Sequence, residues 1–339
     1  MIAAMCREMQ AYKDHFGPLP IRTIFIGGGT PNSLSPEALT QLLQTANDCF
    51  SIAPEIEKTI EINPESLRHS TLDILQKFHF NRLSLGVQSF VKTELNALGR
   101  SHNSNRIGQA VAMARDHGFT NFNLDLMFGL PTATLEDLAY SLEKALSLNP
   151  THLSTYALTI EPNTPFKRQR KTTLDSDTAH RHFCFIQKTL KSHGFKHYEV
   201  SAFAKPGFTC QHNLTYWSLE PFIGIGPSGA SFFQNRHYQC TTNLDQYLQN
   251  PTPPLFRRQI RPLSAATLFK DFLLTNLRRP EGISRAKIIR RFGHLPLISL
   301  THKLDKLQAL GLLRRNPSRL QVTQKGLLLL DSALLELLE

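Results

Sequence analysis

Cysteine is sparse and unclustered. Five cysteines stand in 339 residues, at positions 6, 49, 184, 210 and 240, and no two form a C-x-x-C pair. The odd count and the spacing argue against a disulfide framework. No group of them has zinc or iron–sulfur spacing either. Cys210-Gln211-His212 sets two potential ligands too close together to make a site alone. Long apolar runs are also missing: none reaches the roughly 18 residues that would span a bilayer. The first residues, Met1 to Glu8, lack a basic-then-apolar signal pattern. The expectation is a cytoplasmic protein. Tryptophan occurs once, at Trp217. Acidic residues are outnumbered, 27 Asp and Glu against 38 Lys and Arg, which leaves a net charge of +11. That excess suits an anionic partner: nucleic acid, a membrane surface touched peripherally, phosphate or a polycarboxylate. The plainer reading is solubility.

What is present is a large, ordinary apolar fraction, enough for a globular chain of two domains. The apolar run Ile21 to Ile26 leads into Gly27-Gly28-Gly29-Thr30-Pro31, and a helical stretch from Pro36 follows. Three glycines remove every Cβ from the turn, so backbone can lie directly against a ligand. Alone, the same residues also fit a plain tight turn. Residues 1–17 read as an amphipathic helix stopped at Gly17-Pro18. Ser35 reads as the N-cap of a helix over 36–50. Strands are expected at 59–64, 82–87, 121–128, 152–160 and 198–203. Helices are expected at 70–78, 103–117, 134–148 and 175–193. Such alternation predicts a parallel sheet with helical crossovers.

The unusual polar residues fall at or just past the C-terminal ends of successive strands. Gly28, Gly29 and Thr30 end the first, Glu61 and Asn63 the second, Gln88 and Ser89 the third. Asp125 lies in the fourth, and Thr159 and Glu161 end the fifth. That end of a (β/α) barrel supplies its functional groups. A carboxylate between Leu124 and Leu126 is costly to bury without a partner, although Asp125 could equally orient a neighbouring element.

Several stretches, in order, resemble the radical SAM family of oxygen-independent coproporphyrinogen oxidases. They are Gly27-Gly-Gly-Thr-Pro-Asn-Ser-Leu34, Glu61-Ile-Asn-Pro64, Asn81-Arg-Leu-Ser-Leu-Gly-Val-Gln-Ser-Phe90, Leu98-Gly-Arg-Ser-His102, Gly118 to Pro131 and His152-Leu-Ser-Thr-Tyr156. Within that family, His212-Asn-Leu-Thr-Tyr-Trp217 matches the H-N-x-x-Y-W motif of the HemW-type heme chaperones. The resemblance implies a partial radical SAM (β/α) barrel over 1–203. It implies a Gly- and aromatic-rich segment with the heme motif over 204–260, and a small winged-helix-like C-terminal domain over 261–339. It assigns Gly28, Gly29, Thr30, Glu61, Gln88, Arg100, Asp125 and Thr159 to an S-adenosylmethionine (SAM) site. Carboxylates and amides suit the ribose diol and ammonium of SAM, and an arginine suits its carboxylate. It assigns His212, Asn213, Tyr216 and Trp217 to heme, with His212 as iron ligand and the two aromatic residues against the macrocycle.

One departure from the family is large. Its chemistry rests on a 4Fe–4S cluster held by C-x-x-x-C-x-x-C after the first barrel strand, and this sequence has no such motif. The expectation is a barrel lacking that first strand, with the strand at 21–26 left at a sheet edge. Two explanations stand: the native protein starts earlier and carries the cluster, or this is a cluster-free relative. Gly224 to Ala230 resembles a Gly-rich segment of the family, and Pro251 to Pro254 reads as a linker. Helices over 263–277, 285–292 and 297–310 precede an expected hairpin around Asn316-Pro317-Ser318. Arg285, Lys287, Arg290 and Arg291 form a basic cluster there. It is read either as a docking face or, more weakly, as a nucleic-acid-binding face. The leading functional expectation is a chaperone that binds heme and delivers it to acceptor proteins, with a dimer as one assembly open to it. The alternative is an enzyme, radical decarboxylation of coproporphyrinogen III.

Overall fold

The computed structural model describes residues 1–339 except 102, 132, 163–164, 169–171, 257–259 and 339. In chain order the first part comprises α1 (Ile2–Phe16), β1 (Pro20–Ile26), α2 (Pro36–Cys49), β2 (Ser51–Ile62), α3 (His69–Lys77), β3 (Arg82–Gln88), α4 (Lys92–Ala97) and α5 (Ser104–Asp116). Then come β4 (Phe122–Phe128), α6 (Leu135–Ser147), β5 (His152–Ala157), α7 (Pro165–Arg168), α8 (Ser176–Ser192), β6 (Lys196–His197), β7 (Ala202–Ala204) and α9 (Gln211–Trp217). Among the described residues the strands build one seven-stranded sheet in the order β1-β2-β3-β4-β5-β7-β6. Neighbouring strands from β1 to β5 run parallel, whereas β7 is antiparallel to both β5 and β6. This is the partial barrel expected from the sequence, with β1 at its edge.

Two sequence expectations are corrected in detail. The strand expected at 198–203 is not another parallel member: a tight turn after β6 sends β7 back antiparallel. The second strand begins at Ser51 rather than Thr59. Its pairing to β1 skips in register between Ile21 and Thr23, so Ala53 to Ile56 bulge out and accommodate Pro54, which a regular ladder could not hold. Ser35 does cap α2, accepting from the Ala38 amide.

Side chains alternate across each strand, and the two faces differ sharply. Ile24, Ile26, Ile60, Ile62, Leu83, Leu85, Val87, Leu124, Leu126 and Leu153 point outward to the crossover helices and form the main core. The concave face is polar and stands in rows set by register. Phe25, Thr59 and Arg82 form one row, Glu61, Ser84, Asn123 and His152 the next, and Gly86, Asp125 and Ser154 the third. Asn123 joins these rows: its amide donates to Ser84 Oγ and Asp125 Oδ1, and its carbonyl accepts from His152 Nδ1 and Ser154 Oγ, all at 2.7–3.1 Å.

The chain returns to this frame twice. Glu8 of α1 is fully buried and accepts from the Gly226 amide, Cys240 Sγ and Tyr247 Oη. The C-terminal part folds around Phe269, Phe272, Leu273, Ile288, Leu304 and Leu320. Its helices Ala265–Asn276 and Arg285–Phe292 precede Leu295–Ser299 and Thr301–Ala309, two helices where the sequence suggested one. The expected hairpin, Leu313–Arg315 with Arg319–Val322, is present and is widened to three strands by Ile283–Ser284. Replacing Asn123 by leucine should take one hydrogen bond each from Ser84, Asp125, His152 and Ser154. We expect a loss of about 2–4 kcal/mol, read from urea unfolding.

Candidate functional site

The glycine turn after β1 opens at the C-terminal mouth of the half-barrel. Gly28 and Gly29 have φ of 79° and 85°, a conformation that side chains resist. Gly27 is required for a different reason: a Cβ there would lie 2.8 Å from the Glu61 carboxyl and 2.9 Å from the Phe25 ring. The Gly28 amide donates to Glu61 Oε2 at 3.0 Å. Burial pushes the Glu61 carboxyl up from its ordinary value, and the nearby Asp125 adds to the rise, against the lowering by the Gly28 amide. Asp125 is raised by burial too, held back by hydrogen bonds from Asn123, Ser84 and Ser154. Thr30 is half-buried at the exit of the turn.

Gln88 ends β3 with φ of 67°, a left-handed conformation uncommon outside glycine. Its amide nitrogen lies over Gly86, 3.1 Å from where a Cβ would be. Arg100 is half-buried in the loop after α4. Thr159 lies beyond β5, which stops at Ala157, and is exposed. The structure therefore gathers the glycine turn, Glu61, Gln88 and Asp125 at one end of adjacent strands. It leaves Arg100 and Thr159 on peripheral loops. Sequence reading missed Asn32, which is buried and ties the first two loops together. Its amide donates to Asn63 O and Ser66 Oγ, and its carbonyl accepts from the Asn63 amide. The signal was an asparagine just after a glycine turn, a residue type that bonds backbone readily.

The H-N-x-x-Y-W residues make up most of α9, which lies against β1. Glu57 of β2 fixes its start, accepting from the amides of Gln211 and His212, each at 2.9 Å, and from Cys210 Sγ. The His212 ring stacks on Phe25 at 5.1 Å between centroids. Nδ1 meets Thr23 Oγ1 at 2.9 Å, and Nε2 meets Tyr216 Oη at 2.7 Å. Burial, helped by the charge of Arg82, lowers the His212 pKa to about 4, so the imidazole is neutral at pH 7. Tyr216 remains exposed. The motif divides between two helix faces. His212 and Tyr216 share one, and Asn213 and Trp217 the other. Asn213 Oδ1 accepts from Cys210 Sγ. Trp217 donates to Glu199 and lies under the Arg278 guanidinium, so it does not stand beside His212.

The basic cluster of the C-terminal part is also partly engaged. Arg291 donates to Leu219 O just after α9, and Lys287 lies over the Phe272 ring. The first contact ties the C-terminal part to the segment after α9, and the second is internal to that part. Among the described residues no three His, Cys, Asp or Glu side chains are grouped to hold a metal. The five cysteines are scattered: Cys6 bonds Thr45, Cys49 bonds Gln10, Cys184 bonds His180, Cys210 bonds Glu57 and Cys240 bonds Glu8. None lies at the glycine turn, so the described residues do not fit a 4Fe–4S cluster. They do offer groups suited to the polar parts of SAM, the exposed backbone of Gly28 and Gly29 and the Glu61 carboxyl, which accepts from the Gly28 amide.

Glu199 is buried, and its pKa is raised by burial to about 7 against the lowering bonds from the Ser201 amide and Trp217. Its folded pKa exceeds the unfolded one, so its contribution to stability is full below the ordinary carboxyl range and is lost as pH rises through 7. Because Trp217 is the sole tryptophan, its emission should titrate with a midpoint near 7. That transition should vanish in Glu199→Gln.

Comparison with known proteins matches this geometry. Residues 7–145 match the radical SAM superfamily, and residues 263–329 match the HemN C-terminal domain. The heme chaperone HemW of Escherichia coli (strain K12) is 36% identical over 316 residues, covering 93% of this chain and 83% of that protein. The heme chaperone HemW of Bacillus subtilis (strain 168) is 32% identical over 319 residues, covering 92% and 84%. The solved structure of coproporphyrinogen III oxidase from Escherichia coli, a radical SAM enzyme, superposes with a TM-score of 0.85 at 23% identity. It covers 99% of this chain and 82% of that one, and so establishes the shared fold. With such identity sustained over nine-tenths of its length, the chain belongs to the HemW heme chaperone family of radical SAM proteins.

Proposed function

We propose that this chain binds heme through His212 and releases it to acceptor proteins. The observation that carries this reading is a neutral imidazole whose Nε2 meets the hydroxyl of an exposed tyrosine. Neutral imidazole is the form that ligates iron. Thr23 on Nδ1 and Phe25 beneath the ring hold its orientation, as outer partners of a metal-binding histidine do. Tyr216 must turn away before iron can reach Nε2, and it competes for that nitrogen afterwards. A net hydrogen bond of about 1 kcal/mol is a suitable counterweight for cargo that has to leave again.

SAM is proposed at the mouth of the half-barrel, where it would supply its sulfonium. Gly28, Gly29 and Thr30 would face its methionyl end, and Glu61 its hydroxyls or ammonium. Gln88 and Asp125 would complete the wall, with Arg100 and Thr159 reaching it from their loops. With no cluster ligands among the described residues, no cleavage of SAM is assigned to this chain. Radical decarboxylation of coproporphyrinogen III is the second reading, because the relatives that match nine-tenths of the chain are heme chaperones.

Titration with hemin should give a shifted Soret band in the wild type and none in His212→Ala; an unchanged band in that variant would refute the assignment. Tyr216→Phe should bind about fivefold more tightly, since iron no longer competes with a hydroxyl. Affinity should be flat from pH 8 down to about 5 and fall near 4, where protons take Nε2. The same lowered pKa means that His212 stabilises the fold fully above its ordinary value and loses that contribution as pH falls towards 4. At the mouth, Gly27→Ala should displace Glu61 and weaken SAM binding about tenfold by calorimetry.

A further inference from the structure

Arg82 is 2% exposed on the concave face, at the start of β3. Among the described residues its guanidinium forms no ion pair and no hydrogen bond, and its Nε is buried without a partner. Thr59 is its register neighbour on β2, is fully buried, and its hydroxyl is orphaned in the same way. Two unpartnered buried polar groups side by side are exceptional, because each carries the full penalty of desolvation. The acidic groups on this face are otherwise engaged. Glu57 accepts from the Gln211 and His212 amides and from Cys210 Sγ. Asp125 accepts from Asn123 and Ser84, and Glu61 accepts from the Gly28 amide. His152 adds no charge, since burial and Arg82 itself hold its pKa well below the ordinary value. A positive charge is therefore left in the bore with no hydrogen-bonded partner among the described residues, offset only by its longer-range pull on Asp125.

We propose that Arg82 and Thr59 form a binding site for a carboxylate group within the half-barrel. The planar fork of a guanidinium matches the two oxygens of a carboxylate, and the Thr59 hydroxyl supplies a third donor. Two sources of that chemistry are at hand: a propionate of a porphyrin and the methionyl carboxylate of SAM. The position favours the propionate. Phe25, Thr59 and Arg82 stand in one row across β1, β2 and β3, and the His212 ring stacks on Phe25 at the end of that row. The propionate assignment rests on heme binding at His212; the carboxylate site does not.

The test compares hemin with its dimethyl ester, and SAM with decarboxylated SAM, on the wild type, Arg82→Met, Arg82→Lys and Thr59→Val. Binding is read from Trp217 quenching for the porphyrins and by calorimetry for SAM. The wild type should prefer hemin over the ester by about tenfold. Arg82→Met should bring hemin down to the level of the ester, and Thr59→Val should lower it part of the way. Arg82-dependent discrimination seen only with SAM would support the site and give its source as SAM. Equal preference in wild type and Arg82→Met for both pairs would overturn the proposal, whatever His212→Ala does to the Soret band. Ligand-free Arg82→Met should unfold at the same temperature as the wild type or higher, because it removes an unpaired buried charge. A fall of several degrees would make Arg82 structural and overturn the site.

Discussion

One carboxylate on β2 holds α9 to the barrel. Glu57 takes the first two amides of α9 and the thiol before them. A helix of two turns has little stability of its own, so this anchor and the aromatic contacts of His212 set where the helix lies. From the anchor a relay runs into the sheet. The Cys210 amide donates to Tyr198 Oη, which lies 2.8 Å from His152 Nε2, and His152 Nδ1 meets Asn123 Oδ1. Since the Asn123 carbonyl can only accept, His152 must donate from Nδ1 and receive the Tyr198 hydroxyl at Nε2. The tautomer of a buried histidine thus follows from an asparagine on the next strand.

The concave face explains why this sheet looks unusual. Parallel sheets covered on both sides usually carry apolar residues on both faces. Here, apart from Phe25 and Gly86, the inner rows are Thr, Glu, Ser, Asn, Asp, His and Arg, and most of the polar groups satisfy one another. Such a surface holds its shape only when its partners are all in place. That favours a rigid wall for small polar molecules over a deformable apolar groove.

Much of this was legible in the sequence. Period-two apolar residues at 82–87 and 121–128 and capped helices such as that at Ser35 gave strands and crossovers nearly at their observed bounds. The C-terminal hairpin was legible from Asn316-Pro317-Ser318. The early part of β2 was not, because Pro54 reads as a breaker and only a bulge against β1 admits it. The reversal at β7 was hidden in a turn of four residues. At the mouth, strand ends pointed to Glu61, Gln88 and Asp125, but the strand before Thr159 ends sooner than its composition suggests. Neither the pairing of Trp217 with Glu199 nor the solitude of Arg82 could be read ahead. Both depend on which side chains arrive opposite them from elsewhere in the chain.

The ring of Phe25 has two neighbours. It carries the imidazole of His212, and one of its edge atoms lies 2.9 Å from where a Cβ on Gly27 would be. A shift of the imidazole and a shift of the glycine turn therefore meet at the same six carbons. By thermodynamic reciprocity, whatever one of these elements transmits to the other it receives in return.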